Sequence, residues 1–129
     1  MAGLKFFSFV ALCWLLAAPV ARAADRALGP HGGPMADTEP YNVELVLANG
    51  DIHVFAFDDK TRAPVSATTG HGTATVLIGD QKQTVELAPG PADDNLLAGH
   101  IAGAADGRVR IVVVLHFPGQ PSIVARFAI

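Results

Sequence analysis

The strongest constraint in this sequence is the alternation of apolar and polar residues from Tyr41 to the C-terminus. Alternation has the period of a β-strand, in which successive side chains point to opposite faces of the sheet. After Tyr41 the apolar residues never recur at helical spacing over the roughly ten residues that a helix needs. We therefore predict an all-β domain over residues 41–129.

The dipeptide Asn49-Gly50 predicts the first hairpin of this domain, because both residues tolerate the positive φ angles of a two-residue turn. One strand runs from Tyr41 to Ala48, and the next runs from Asp51 to Phe57. The register set by this turn pairs Leu47 with Ile52, Leu45 with Val54 and Val43 with Ala56. A slip of one residue would turn all six apolar side chains toward water, so we expect this register.

Further turn signals divide the rest of the domain into short strands. Gly79-Asp80 predicts a second hairpin between Gly72–Ile78 and Gln81–Ala88, and another strand is expected from Asn95 to Ala102. The two most apolar strands close the chain, with inward sets Val109, Ile111, Val113, Leu115 and Phe117, then Ile123, Ala125, Phe127 and Ile129. About seven such strands are typical of an immunoglobulin-like antiparallel β-sandwich.

Two segments precede the predicted sandwich. Residues 1–23 have the pattern of a signal peptide, with Lys5, an apolar run from Phe6 to Ala18, and the small residues Ala21 and Ala23 before the cleavage point. That run is shorter than the roughly 20 residues that span a bilayer. We expect cleavage after Ala23 or Ala24, no stable membrane anchor, and a periplasmic protein. Residues 24–40 are rich in glycine and proline and predict a flexible arm.

Composition narrows the classes of function for the exported chain. The only cysteine of the sequence, Cys13, lies in the predicted signal peptide. The exported domain therefore has no disulfide and must fold on its apolar core alone. Seven basic residues against twelve acidic ones give a net charge of −5, which argues against a nucleic-acid partner. No Gly-x-Ser-x-Gly motif or phosphate-binding glycine loop is present, so we do not expect an enzyme.

Five histidines lie in this cysteine-free chain, at positions 31, 53, 71, 100 and 116. Imidazole is the commonest protein ligand of copper, zinc and nickel. The candidate metal ligands are His31, Met35, His53, His71 and His100. None of the pairs has close spacing, and solvated loop histidines are the alternative for His71 and His100. His116 shares its strand face with valines, where a structural histidine is expected.

His31-Gly32-Gly33 is the most specific local candidate for a metal site. An imidazole followed by two unhindered amides can wrap a copper(II) ion in the tetragonal nitrogen field that it prefers. Met35 adds a soft thioether that would suit copper(I). The alternative is a flexible linker that happens to hold one histidine.

Phe55 and Phe57 make the outward face of the second predicted strand more apolar than a solvated surface. They either pack against the arm or another part of the domain, or they form a docking patch for a partner protein.

Most of the chain after residue 30 resembles small periplasmic immunoglobulin-like modules of heavy-metal and copper handling systems. These modules occur alone or near the N-terminus of adaptor subunits of resistance-nodulation-division efflux pumps, and they are similar in general shape to YtkA-like and CopC-like domains. The resemblance is carried by His31-Gly32-Gly33, Glu44-Leu45-Val46, Val54-Phe55, Asp58-Asp59, Pro64-Val65, Thr73 to Leu77, Asp94 to Gly99, Pro118 to Pro121 and Ala125-Arg126-Phe127. It implies a role in metal homeostasis. The amino-terminal ligand histidine of CopC-like proteins is absent, because the predicted mature chain begins Ala24-Asp25-Arg26.

Two hypotheses about function follow. The first is a non-catalytic periplasmic accessory protein that binds or passes a transition metal, with copper as the first choice and heavy-metal efflux components as partners. The alternative is a metal-independent interaction module of the cell envelope or of an efflux complex, which docks through Phe55, Phe57 or an edge strand.

Overall fold

The computed structural model describes residues 28–102 and 108–129, and every regular element in these ranges is a β-strand. The strands are β1 (Met35–Ala36), β2 (Tyr41–Ala48), β3 (Asp51–Asp58), β4 (His71–Ile78), β5 (Gln81–Pro89), β6 (Leu96–His100), β7 (Val109–His116) and β8 (Ile123–Ala128). The all-β prediction is confirmed. These two ranges contain no helical segment with the length and hydropathy of a membrane span. The predicted signal peptide and residues 24–27 of the predicted arm lie outside the described residues.

The strands form one antiparallel sheet in the order β1-β2-β3-β6-β5-β4-β7-β8. The sheet curls until its two end strands, β1 and β8, contact each other, which makes the molecule nearly barrel-shaped. The pairing between β5 and β6 is short, since only Ala88 with Ala98 and Pro89 with Leu97 are paired. By contrast, β5 pairs with β4 along most of its length.

The predicted register of the first hairpin is confirmed. Leu47 pairs with Ile52, Leu45 with Val54, and Val43 with Ala56. Asn49 and Gly50 both have positive φ, at 52° and 83°, as the two-residue turn requires. The inward side chains of this hairpin are buried as expected, except that Leu47 is only partly covered.

One hydrophobic core fills the inside of the curled sheet. Its largest fully buried side chains come from six of the strands and are Leu45, Ile52, Leu87, Leu97, Ile111, Leu115 and Ile123. A second, smaller cluster lies on the outer face of the sheet and consists of Phe55, Phe57 and Leu96, with Met35, Val46 and Ala98 packed against it. A sheet face with its own apolar cluster needs a covering element.

Asp58 closes the turn that follows β3. Its Oδ1 accepts hydrogen bonds from the backbone N–H groups of Lys60 at 2.8 Å and Thr61 at 2.9 Å. Both hydrogen bonds lower the pKa of this carboxyl below its ordinary value of 3.8, because both donors favour the charged form. The bond from Thr61 has the larger effect on this pKa and the bond from Lys60 the smaller one.

Candidate functional site

The segment from Leu28 to Ala36 covers the outer apolar cluster. Gly29 donates its N–H to the carbonyl of Gly33 at 2.8 Å, and Gly32 donates to the carbonyl of Gly29 at 2.9 Å, so the chain makes a tight turn. Gly32 has a φ of 85°, which favours glycine. Strand β1 then pairs with β2 through Met35 with Glu44 and Ala36 with Val43. These residues belong to the predicted arm, and they pack on the sheet.

Glu44 is the buried charge beneath this segment, and its side chain is 0% exposed. One carboxylate oxygen, Oε2, accepts the backbone N–H groups of His31 at 2.8 Å and Gly33 at 3.0 Å. The other, Oε1, lies 2.8 Å from Nδ1 of His31. Three donors therefore compensate a carboxylate that would otherwise be costly to bury.

Two glycines are required for the segment to approach this closely. A Cβ atom on Gly29 would collide with Cδ of Glu44, and one on Gly33 would collide with the carbonyl oxygen of Leu45. Either collision would push the segment off the sheet, because both contacts would be far shorter than van der Waals contact. The glycines of this segment thus serve close packing as well as turn formation.

The imidazole of His31 is held in one orientation on three sides. Its ring stacks on Phe55 with centroids 3.7 Å apart and planes only 9° from parallel. Because the carboxylate of Glu44 only accepts hydrogen bonds, Nδ1 carries the proton in the neutral ring and Nε2 has the free lone pair. Nε2 lies 3.9 Å from Oδ2 of Asp93, and the two side chains are 37% and 49% exposed.

The backbone amides of His31-Gly32-Gly33 are already engaged. The N–H groups of His31 and Gly33 donate to Glu44, and that of Gly32 donates to Gly29. A copper(II) ion held by the imidazole and the two following amides would displace the N–H protons of Gly32 and Gly33. That would break both of their hydrogen bonds and remove one donor from a buried carboxylate. The geometry therefore favours a site at Nε2 of His31 over the amide-wrapped site that the sequence suggested.

Met35 lies near the carboxylate of Glu44. Its Sδ and Oε2 of Glu44 would each be 2.6 Å from a Cβ atom on Gly29. Its side chain also packs against the cluster of Phe55, Phe57 and Leu96. The thioether therefore lies in the apolar cluster next to the buried carboxylate.

Of the remaining predicted ligands, His53 lies nearest to the His31 site. It meets edge-on the same Phe55 ring on which His31 stacks, with centroids 6.3 Å apart. His100 is exposed, and its Nδ1 is 3.0 Å from Oδ1 of Asp51.

The last predicted ligand, His71, lies beside the one histidine that was not a candidate. It stacks on His116 with ring centroids 4.9 Å apart. Among the described residues, no three histidine, aspartate or glutamate side chains are grouped so that they could hold a metal ion.

The two aromatic side chains predicted to bind a partner are buried. Phe55 is 3% exposed and Phe57 is 5% exposed, because the segment from Leu28 to Ala36 lies over them. Of the two alternatives that the sequence left open, the structure has the one in which these rings pack against the arm. Docking through either ring would first require the segment to leave the sheet.

Sequence reasoning missed Glu44, Asp93, His116 and Ser122 as parts of candidate sites. One signal for Glu44 was present, since it is an outward carboxylate directly opposite Phe55 in the predicted register. Ser122 is the clearest omission. Its hydroxyl lies 2.9 Å from Nδ1 of His116, and nothing in the sequence indicated this contact because the two residues are not adjacent.

Comparison of the chain with protein-family models, curated proteins and solved structures found no match. The resemblance to periplasmic metal-handling modules therefore remains a prediction from the residues that carry it.

Proposed function

We propose that this chain is an exported, non-catalytic protein that binds a transition metal at His31 and passes it on, with copper(II) as the first choice. The observation that carries the proposal is the anchoring of the His31 ring. Its Nδ1 is bound to the buried carboxylate of Glu44, and its Nε2 is left free beside Asp93. Metal-binding histidines are commonly oriented in this way by a carboxylate on their other nitrogen.

The donors around Nε2 suit copper(II) better than copper(I). Metal bonds of about 2 Å separate two ligand atoms by about 3–4 Å, which is compatible with the 3.9 Å between Nε2 of His31 and Oδ2 of Asp93. One imidazole nitrogen, one carboxylate oxygen and water give the mixed nitrogen and oxygen field that copper(II) accepts. Two protein ligands bind less tightly than a full cage, which fits a protein that hands its metal on.

The proposed fold is an immunoglobulin-like sandwich whose two sheets are joined through β5. The strand order supports this interpretation. In the constant-type sandwich the strands, lettered A to G along the chain, form the sheets A-B-E-D and C-F-G. Taking β2 to β8 as A to G gives β2-β3-β6-β5 and β4-β7-β8, and β5 pairs with neighbours in both groups. The structure adds β1 at the outer edge of the first group.

The proposed compartment is the periplasm, and the proposed partners are components of heavy-metal efflux. Support comes from the signal-peptide pattern of residues 1–23 and from the resemblance described above. A site that is partly open to solvent would let a partner reach the metal.

The test is a copper(II) titration of the untagged protein and of two single variants, His31→Ala and His100→Ala. Electron paramagnetic resonance would report the nitrogen ligands, and competition with a chelator would give the affinity. We expect His31→Ala to weaken binding by about tenfold or more and to remove the nitrogen signal of this site. His100→Ala is the matched control, since His100 also contacts a carboxylate but lies exposed.

The same titration with Asp93→Asn should weaken copper(II) binding while leaving the fold intact, because Asp93 is half exposed. Equal affinity of His31→Ala and the parent protein would overturn the proposal. Tight copper(I) binding that depends on Met35 would also overturn the preference for copper(II).

A further inference from the structure

We infer that His71 and His116 form a second metal site, on the other half of the sheet, which takes a divalent first-row transition metal through two imidazole nitrogens. The two residues are direct cross-strand partners on β4 and β7. Their rings are stacked, with centroids 4.9 Å apart and planes 26° from parallel. This inference goes beyond the proposed function and is independent of the site at His31.

The separation of the two rings suits a shared metal ion. Bonds of about 2.0–2.1 Å from one metal place two imidazole nitrogens about 3–4 Å apart, depending on the angle at the metal. In the stacked arrangement the in-plane lone pairs of the two rings run side by side, so binding requires the ring of His71 to turn toward the ion. This side chain is exposed at the start of β4, which leaves it room to turn. His116 is partly buried at the end of β7, so its ring has less room to turn.

Ser122 orients the more buried partner. Its hydroxyl oxygen lies 2.9 Å from Nδ1 of His116. When Nδ1 donates its proton to this hydroxyl, the lone pair of the neutral ring is on Nε2 and is available to a metal. Ser122 therefore acts as a positioning residue, since its hydroxyl holds the His116 ring by Nδ1 and can accept the proton of the tautomer that binds.

The side chains around the pair carry little net charge, so we expect this site to bind a metal cation with modest affinity. The next cross-strand pair on this face is Thr73 with Val114. Val114 is flanked on β8 by Val124, and Thr73 is flanked on β5 by Glu86, which is the one carboxylate among these neighbouring positions. Arg126 pairs with Val112, one step further along the face. Solvent around the exposed His71 can supply water for the remaining coordination positions, which two imidazoles leave open.

Nickel(II) is the probe, because it binds imidazole and broadens the nuclear magnetic resonance signals of nearby protons. The untagged protein is titrated with less than one equivalent of nickel(II). We expect the ring signals of His71 and His116 and the amide signals of Gly72 and Leu115 to broaden together. Binding to both rings raises affinity through the effective concentration of the second one, so His71→Ala should weaken binding at this site by about tenfold or more.

Two further variants make the result decisive. His100→Ala should leave broadening at the pair unchanged, whereas Ser122→Ala should weaken binding by less than His71→Ala does. Folding of His71→Ala is checked by thermal unfolding, and retention is expected because the side chain is exposed. Unchanged nickel affinity in His71→Ala would overturn the inference. Equal broadening at all the histidines would also overturn it, since that pattern indicates binding to single rings.

Discussion

The hairpins β2–β3 and β4–β5 arise from similar alternating sequences with tight turns, yet their outer faces differ. On β2 and β3 the outward residues Asn42, Glu44, Phe55 and Phe57 are all buried. On β5 the outward residues Thr84, Glu86 and Ala88 are exposed. The difference is the segment from Leu28 to Ala36, which covers the first hairpin and leaves the second open. Alternation alone predicts the inner face, and the chemistry of the outer residues indicates whether something covers them.

The largest expected effect comes from removing the ring on which the covering segment rests. Phe55→Ala should lower the free energy of unfolding by about 3–5 kcal/mol, because a buried phenyl ring is replaced by a cavity and the stacking with His31 is lost. Urea unfolding measures the change. The matched control is Val124→Ala on β8, where the side chain is 41% exposed and the expected loss is within about 0.5 kcal/mol. Similar losses for the two variants would mean that the segment does not cover β3 in solution.

A smaller loss is expected at the buried carboxylate. Glu44→Gln should cost about 2–3 kcal/mol, because an amide nitrogen would then face N–H donors that the carboxylate now satisfies. Chemical unfolding at neutral pH measures it. Glu86→Gln, on the exposed face of β5, is the control and should change stability by less than about 0.5 kcal/mol. If Glu44→Gln were as mild as its control, Glu44 would not be the anchor of the segment.

The close approach of the segment gives the next prediction. Gly33→Ala should cost about 1–3 kcal/mol, because its Cβ would meet the carbonyl oxygen of Leu45 and the backbone must shift. Gly32→Asn is the control, since no atom lies within 4 Å of a Cβ there and asparagine tolerates positive φ. Thermal unfolding of both variants makes the comparison. A greater loss in Gly32→Asn than in Gly33→Ala would place the constraint in the turn rather than in the contact with β2.

The smallest effect is expected at Asp58, at the end of β3. Its pKa is lowered in the folded protein, chiefly by the N–H of Thr61 and then by that of Lys60. The charged carboxylate therefore adds stability above the ordinary pKa of 3.8, and this stability is lost as the pH falls through the lowered folded value. Asp58→Asn should be less stable than the parent protein at neutral pH, and the difference should shrink in acid. Urea midpoints across this pH range measure it, and a difference that grows in acid would contradict the assignment.

Much of the first hairpin could be predicted from the sequence, because its turn and its apolar period specify the same register. The site could be predicted only in part. His31 was identified from its neighbouring glycines, but the partner that orients it, Glu44, lies on a different strand and becomes a neighbour only when the segment folds back. The same reason explains why the pair of His71 and His116 was missed. These residues are distant in sequence, and only the pairing of β4 with β7 brings their rings together.

Local sequence accounts for the strands, their turns and the inward apolar faces, because these depend on conformational preference and on a period of two residues. Three outcomes required the folded molecule. The first two are which outer face is covered and the burial of Phe55 and Phe57. The third is the hydrogen bonding of the His31-Gly32-Gly33 amides, two of which donate to Glu44. Those outcomes depend on which segments meet across the sheet. Such contacts are set by the packing of distant parts of the chain, and no local pattern specifies them.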